Sequence, residues 1–115
     1  MLYTRIYADE NGDSRFEMVF VPLLDRGVIG SLSMPLDTKS LIFRENKASY
    51  DWDFHTAPAR QFIILLDGEI EITTSLGEAR RFGGGDILLV EDTTGNGHRT
   101  QNIVQCIRRS LFITI

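Results

Sequence analysis

A chain of 115 residues, 43 % hydrophobic and 24 % charged, has the composition of one soluble globular domain, residues 1–115. Its net charge of −4 gives bulk electrostatics no means of holding nucleic acid or an anionic membrane. The single cysteine, Cys106, excludes an intrachain disulfide framework, and no apolar run approaches the length of a membrane helix. The opening residues lack the charged region and apolar block of a signal peptide, so a cytoplasmic location is expected.

Period-two patterning dominates from the start. Leu2–Ala8 and Arg15–Val21 flank a polar stretch in which Asn11-Gly12 is a hairpin-turn dipeptide. Val28–Met34 reads as a strand ended by Pro35, and Ser40–Arg44 as another, followed by the polar turn Glu45–Ala48. Gln61–Leu66 and Glu69–Thr74 are strands joined through Asp67-Gly68. In the second of them Glu69, Glu71 and Thr73 alternate with Ile70, Ile72 and Thr74, one face wet and the other buried. A short strand at Glu78–Phe82 precedes the break Gly83-Gly84-Gly85-Asp86, after which Ile87–Val90, Thr100–Ile107 and Ser110–Ile115 complete the set. No segment keeps a helical period with caps at both ends. Many short strands at even spacing predict an all-β sandwich or closed barrel.

Two negative readings narrow the chemistry. The triple glycine is no phosphate loop, because no Gly-Lys-Ser/Thr follows and a strand rather than a helix comes next. No strand–elbow–helix context presents a serine for a hydrolase triad. Arg80-Arg81 and Arg108-Arg109 are too short for basic tracts and read as solvated strand or turn positions, while Cys106 reads as a packed thiol.

The two histidines carry the remaining signal. On an extended segment the side chains of His55, Ala57 and Gln61 share a face, and His98 follows one strand–turn unit downstream, so a barrel can bring them together. Imidazole suits zinc, copper, iron and nickel, and a carboxylate usually completes such a site. Ala57 has no donor and Gln61 offers only a neutral amide oxygen. Glu91 or Asp92 supplies a carboxylate only if its loop folds inward.

These residues resemble the cupin superfamily. His55, Ala57, Gln61 and Gly68 occupy the His, His, Glu and Gly positions of its first motif with matching spacing, although Ser49 and Tyr50 lie where its opening glycine belongs. Gly95, His98 and Asn102 match the Gly-x-x-His-x-x-x-Asn part of the second motif, with Thr93 in the proline position and a loop about two residues longer after Gly85-Asp86. The chain looks most like small single-domain bacterial cupins, through Arg5–Gly12, Ala57–Gln61 and Arg81–His98. That resemblance implies a single-domain jelly-roll β-barrel, a double-stranded β-helix, and a homodimer, with the apolar segments Leu2-Tyr3 and Ile113–Ile115 available for pairing.

The expected function is binding of a small metabolite, sugar-like or acidic, in the barrel interior, with His55, Arg60, Gln61 and His98 as polar contacts. The alternatives are a metal-dependent dioxygenase or isomerase using His55, Gln61 and His98 on iron, manganese, zinc or nickel, a metal-free isomerase or epimerase with a histidine base, and an interaction module with a vestigial pocket. No catalytic residue is assigned.

Overall fold

The structure, a computed structural model, describes residues 1–115. Twelve strands follow one another: β1 (Leu2–Ala8), β2 (Ser14–Phe20), β3 (Leu24–Asp25), β4 (Ser31–Leu32), β5 (Ser40–Asn46), β6 (Asp51–His55), β7 (Gln61–Leu65), β8 (Glu69–Thr74), β9 (Ala79–Gly83), β10 (Ile87–Val90), β11 (His98–Asn102) and β12 (Arg108–Thr114). The only helical element is a single 3-10 turn at Gly27–Ile29, and no helix is long and apolar enough to cross a membrane.

Two sheets face each other. One has the order β2-β1-β10-β7-β12-β5 and the other β6-β11-β8-β9, while β3 and β4 form a separate two-stranded ribbon. All pairings are antiparallel except β1 with β10, where Ile6 lies opposite Val90. The chain thus passes repeatedly between sheets, as a jelly-roll β-barrel requires. Alternation decides the core: Ile6, Leu65, Leu88 and Val90 from the larger sheet meet Ile70, Ile72 and Phe82 from the smaller one, with Ala57 at one end. The wet face of β8 carries Glu69 and Glu71, which pair with Arg81 on β9.

Local chemistry sets the turns. Between β1 and β2, the Asp9 carboxylate accepts the N–H groups of Asn11 and Asp13, and Gly12 takes the positive φ of 81° that the turn demands. Between β7 and β8, Gly68 has φ 73°, and an added Cβ would meet the Arg108 stem at 3.0–3.2 Å. Its lack of a side chain therefore makes the tight turn and also seats Arg108.

Two expected strands differ. Val28–Met34 is no strand: the Arg26 N–H closes on the Gly30 carbonyl around the 3-10 turn, leaving only two-residue β3 and β4 to pair. Its alternating residues lack a sheet to join, and nearly every side chain from Pro22 to Phe43 is exposed. Thr100–Ile107 splits, β11 ending at Asn102 because that side chain turns back to the carbonyls of Lys47 and Ala48, each at 3.1 Å. Cys106 sits half-buried in the turn that follows.

Candidate functional site

A cavity of about 300 Å³ opens between the sheets. His55 and His98 line it from β6 and β11, Gln61 from β7, and Ile70, Ile72, Leu88 and Val90 form its apolar floor. His55, Ala57 and Gln61 reach it by a different route from the single extended face that their spacing suggests. β6 stops at His55, the chain turns through Ala57-Pro58, and Gln61 opens a strand of the opposite sheet. They converge across the cavity instead of along one strand.

His55 lies directly opposite His98 in the β6–β11 pair, with ring centroids 4.6 Å apart. The register then shifts, so that Thr100 faces Trp52. Three residues of β6 match two of β11, and this bulge brings Trp52 and His55 to the same face, which regular alternation would forbid. Their rings stack at 3.6 Å with an interplanar angle of 6°. The His55 Nδ1–H donates to the Asp53 carbonyl at 2.8 Å, leaving Nε2 as its free nitrogen. Burial lowers the His55 pKa from its ordinary 6.5, the Asp53 bond opposing and the nearby His98 assisting.

His98 is held from behind. Its Nδ1–H donates at 2.5 Å to Oδ2 of Asp92, which is fully buried and also accepts the Ser14 hydroxyl at 2.7 Å. The carboxylate fixes the proton on Nδ1, so Nε2 is the basic nitrogen available to the cavity. Ser14, Asp92 and His98 have the residue types of a nucleophilic triad in the wrong order: the carboxylate is in the middle, and the imidazole bonds Asp92 rather than the serine. The longer loop after β10 divides its two acids between faces. Asp92 goes in, while Glu91 goes out to Arg5 and Arg60, each at 2.7 Å. Burial opposes the Glu91 charge, but the two guanidiniums outweigh it and hold the carboxyl below its ordinary range.

Arg60 is therefore not a cavity residue. It lies on the outer side of the larger sheet, because it precedes the inward Gln61 by one position and pairs with outward Glu91. The cationic role inside falls to Arg108, which is buried rather than solvated as its place in the Arg108-Arg109 pair suggests, and to Arg44, which no motif singles out. Arg108 begins β12 facing inward, with 4 % of its surface exposed, and Arg44 lines the same cavity from β5. Adjacent arginines on a strand cannot both face solvent when one face is core, so Arg109 takes the outside, where it pairs with Asp67. The Arg108 Nε–H donates to Oδ1 of Asn102, joining it to the turn that Asn102 anchors. Tyr50, Trp52 and Phe112 complete the aromatic wall, with the Arg44 guanidinium 5.3 Å from the Tyr50 centroid and 5.0 Å from that of Phe112.

The donors present do not fit a divalent transition metal. Two imidazoles and one amide face a cavity with two guanidiniums on its wall, and Asp92 spends its charge on His98 Nδ1 rather than facing a cation. No group of three His, Cys, Asp or Glu side chains is placed to hold a metal ion.

No family model matches the chain, and no curated protein matches it. Solved structures do. The Schizosaccharomyces pombe Cnp3 cupin domain superposes with a TM-score of 0.52 at 17 % identity, covering 97 % of this chain and 85 % of that one. The Drosophila melanogaster CENP-C cupin domain gives 0.49 at 17 % identity, over 81 % of this chain and 75 % of that one. A conserved protein of unknown function from Streptococcus pyogenes gives 0.49 at 15 % identity, over 73 % and 68 %. At such identities the likeness bears on architecture alone. The chain has a cupin-like fold.

Proposed function

We propose that this protein binds a small metabolite in the barrel interior, acting in the cytoplasm as a homodimer. The observation that carries the reading is the cavity itself, of about 300 Å³, mostly apolar and with the polar groups of His55, Gln61, His98 and Arg108 converging on it. That size and lining are those of small-molecule sites. The test is a metabolite library screened by thermal shift and native mass spectrometry. A ligand at 100 times its Kd adds about 2.7 kcal/mol, a Tm rise of roughly 10 °C for a domain this size. A full library giving neither a shift nor an adduct would defeat the reading.

The Asp92–His98 pair favours a second reading, a metal-free isomerase or epimerase in which His98 Nε2, with Nδ1 engaged by Asp92, removes a proton from carbon. Deuterium entering the bound metabolite from solvent, and failing to do so in His98→Gln, would support it.

The homodimer rests on an unburied surface and not on pairing through Leu2-Tyr3 or Ile113–Ile115, because β1 and β12 already have a strand on each side. Val28, Ile29, Met34 and Leu36 on the arm between β2 and β5 are exposed by 66 % or more, and Phe43 on the adjoining edge strand by 78 %. At roughly 100 Å² per apolar side chain, these and their neighbours approach the ~800 Å² per partner that a stable interface needs. A second copy is the occupant that supplies matching apolar surface, the arm of one protomer lying on the outer sheet face of its partner.

A further inference from the structure

We infer that the metabolite is a small organic anion whose carboxylate or phosphate oxygens seat on Arg108 and Arg44. This rests on the cavity being a ligand site and names the chemical class of its occupant.

The argument begins with pairing. Seven arginines of this acidic chain reach a carboxylate. The two that line the cavity do not, and no Asp or Glu lines it with them. Buried charges in folded proteins are almost always compensated. Arg108, with 4 % of its surface exposed, uses only Nε, on the neutral Asn102 oxygen. Its stem is fixed over Gly68 and its guanidinium lies 5.4 Å from the Tyr50 centroid, so it is oriented without being neutralised.

Position sharpens this. Arg44 lies opposite Ser110 in the β5–β12 pair, which makes Arg108 its diagonal neighbour on the same inward face, roughly 7–8 Å away in an ordinary sheet. Two like charges at that separation repel, and burial with that repulsion pushes the Arg108 pKa down from its usual value. An anion between them removes both penalties. A guanidinium presents its N–H groups as a fork matched to two oxygens of a carboxylate or phosphate. The remainder of the ligand faces Tyr50, Trp52, Phe112 and the aliphatic floor, so its body is apolar or unsaturated. The volume holds about ten water molecules, enough for a single-ring acid.

The experiment titrates the full-length protein with five probes of one shape: benzoate, phenyl phosphate, neutral benzamide and benzyl alcohol, and cationic benzylamine. Calorimetry and Trp52 emission give the affinities. One or both anions should bind at least about tenfold more tightly than the neutral probes, with benzylamine weakest. Benzoate against phenyl phosphate separates the two acid types. Arg108→Met should erase the preference for anions while leaving affinity for the neutral probes unchanged, and Arg44→Met should reduce it. Should Arg108→Met fail to fold, Arg44→Met and the wild-type ranking still decide the matter. Neutral probes binding as tightly as the anions would overturn the inference while leaving the cavity a ligand site. Binding of none of the five at millimolar concentration would overturn both.

Discussion

Gly97→Ala tests whether the approach of the β11 entry to β6 sets the geometry of the histidine pair. Gly97 has φ +74°, and a Cβ there would lie well inside van der Waals contact of the His55 carbonyl. Two costs follow. An L-residue in the left-handed region loses about 1–2 kcal/mol. The contact adds to this because its partner is backbone, already in a strand pair, so relief requires parting His55 from His98. A combined loss of about 3–4 kcal/mol is expected, a large share of a domain's stability. Gly77→Ala is the control: its φ is +84°, but nothing lies within 4 Å of the added Cβ, so it carries only the conformational cost. Urea denaturation followed by Trp52 emission reads both. With a slope near 1.5 kcal/mol per M, the midpoint should fall by roughly 2–2.7 M for Gly97→Ala and by about 0.7–1.3 M for Gly77→Ala. Equal losses in the two variants would show that the contact contributes nothing and refute the reasoning.

Three further outcomes are expected. Trp52, the only tryptophan, stacks on His55, so its emission should drop as the imidazole protonates, with a midpoint below 6.5 because burial lowers the folded pKa. By the same linkage this histidine's share of the stability is fully present above pH 6.5 and lost as pH falls through the folded value; a midpoint at or above 6.5 would contradict the burial argument. Ser14→Ala removes a donor from the fully buried Asp92 carboxylate and should cost about 2 kcal/mol in urea denaturation, a loss below ~0.5 kcal/mol counting against a stabilising Ser14–Asp92 bond. Light scattering should give a dimer mass at micromolar concentration, and Val28→Asp with Ile29→Asp should shift it toward monomer; a wild-type monomer would refute the interface.

Most of the barrel was legible because alternation is a local signal. Glu69–Thr74 and Ile87–Val90 have the predicted bounds, and the Asp9–Asp13 turn follows from side chains that bond their own backbone. Val28–Met34 misled for the complementary reason: alternation reports a face to bury, and this arm has no sheet within its own chain to bury it against. In the site, His55, Gln61 and His98 are legible from spacing, but the stacking of Trp52 on His55 depends on a bulge that no residue type announces. Arg108 was available to a stricter reading. Arg108-Arg109 opens a strand whose next inward positions are Ser110 and Phe112, and that parity places one guanidinium inside. The inward turn of Asp92 and outward turn of Glu91 depend on the path of the loop after Val90, which is set by the Ala57 N–H bonding to the Asp92 carbonyl, a contact distant in sequence.

The Ser14–Asp92 bond joins positions 78 residues apart, and the parallel β1–β10 pair closes the same long loop. Folding speed falls as contacts become less local, and domains of this topology complete in milliseconds to seconds. The cavity walls need only β5 to β12, but the hydroxyl that helps to hold Asp92 arrives when the first hairpin docks. The basic nitrogen of His98 is thus tied, through Asp92, to a hairpin that lines no wall of the pocket.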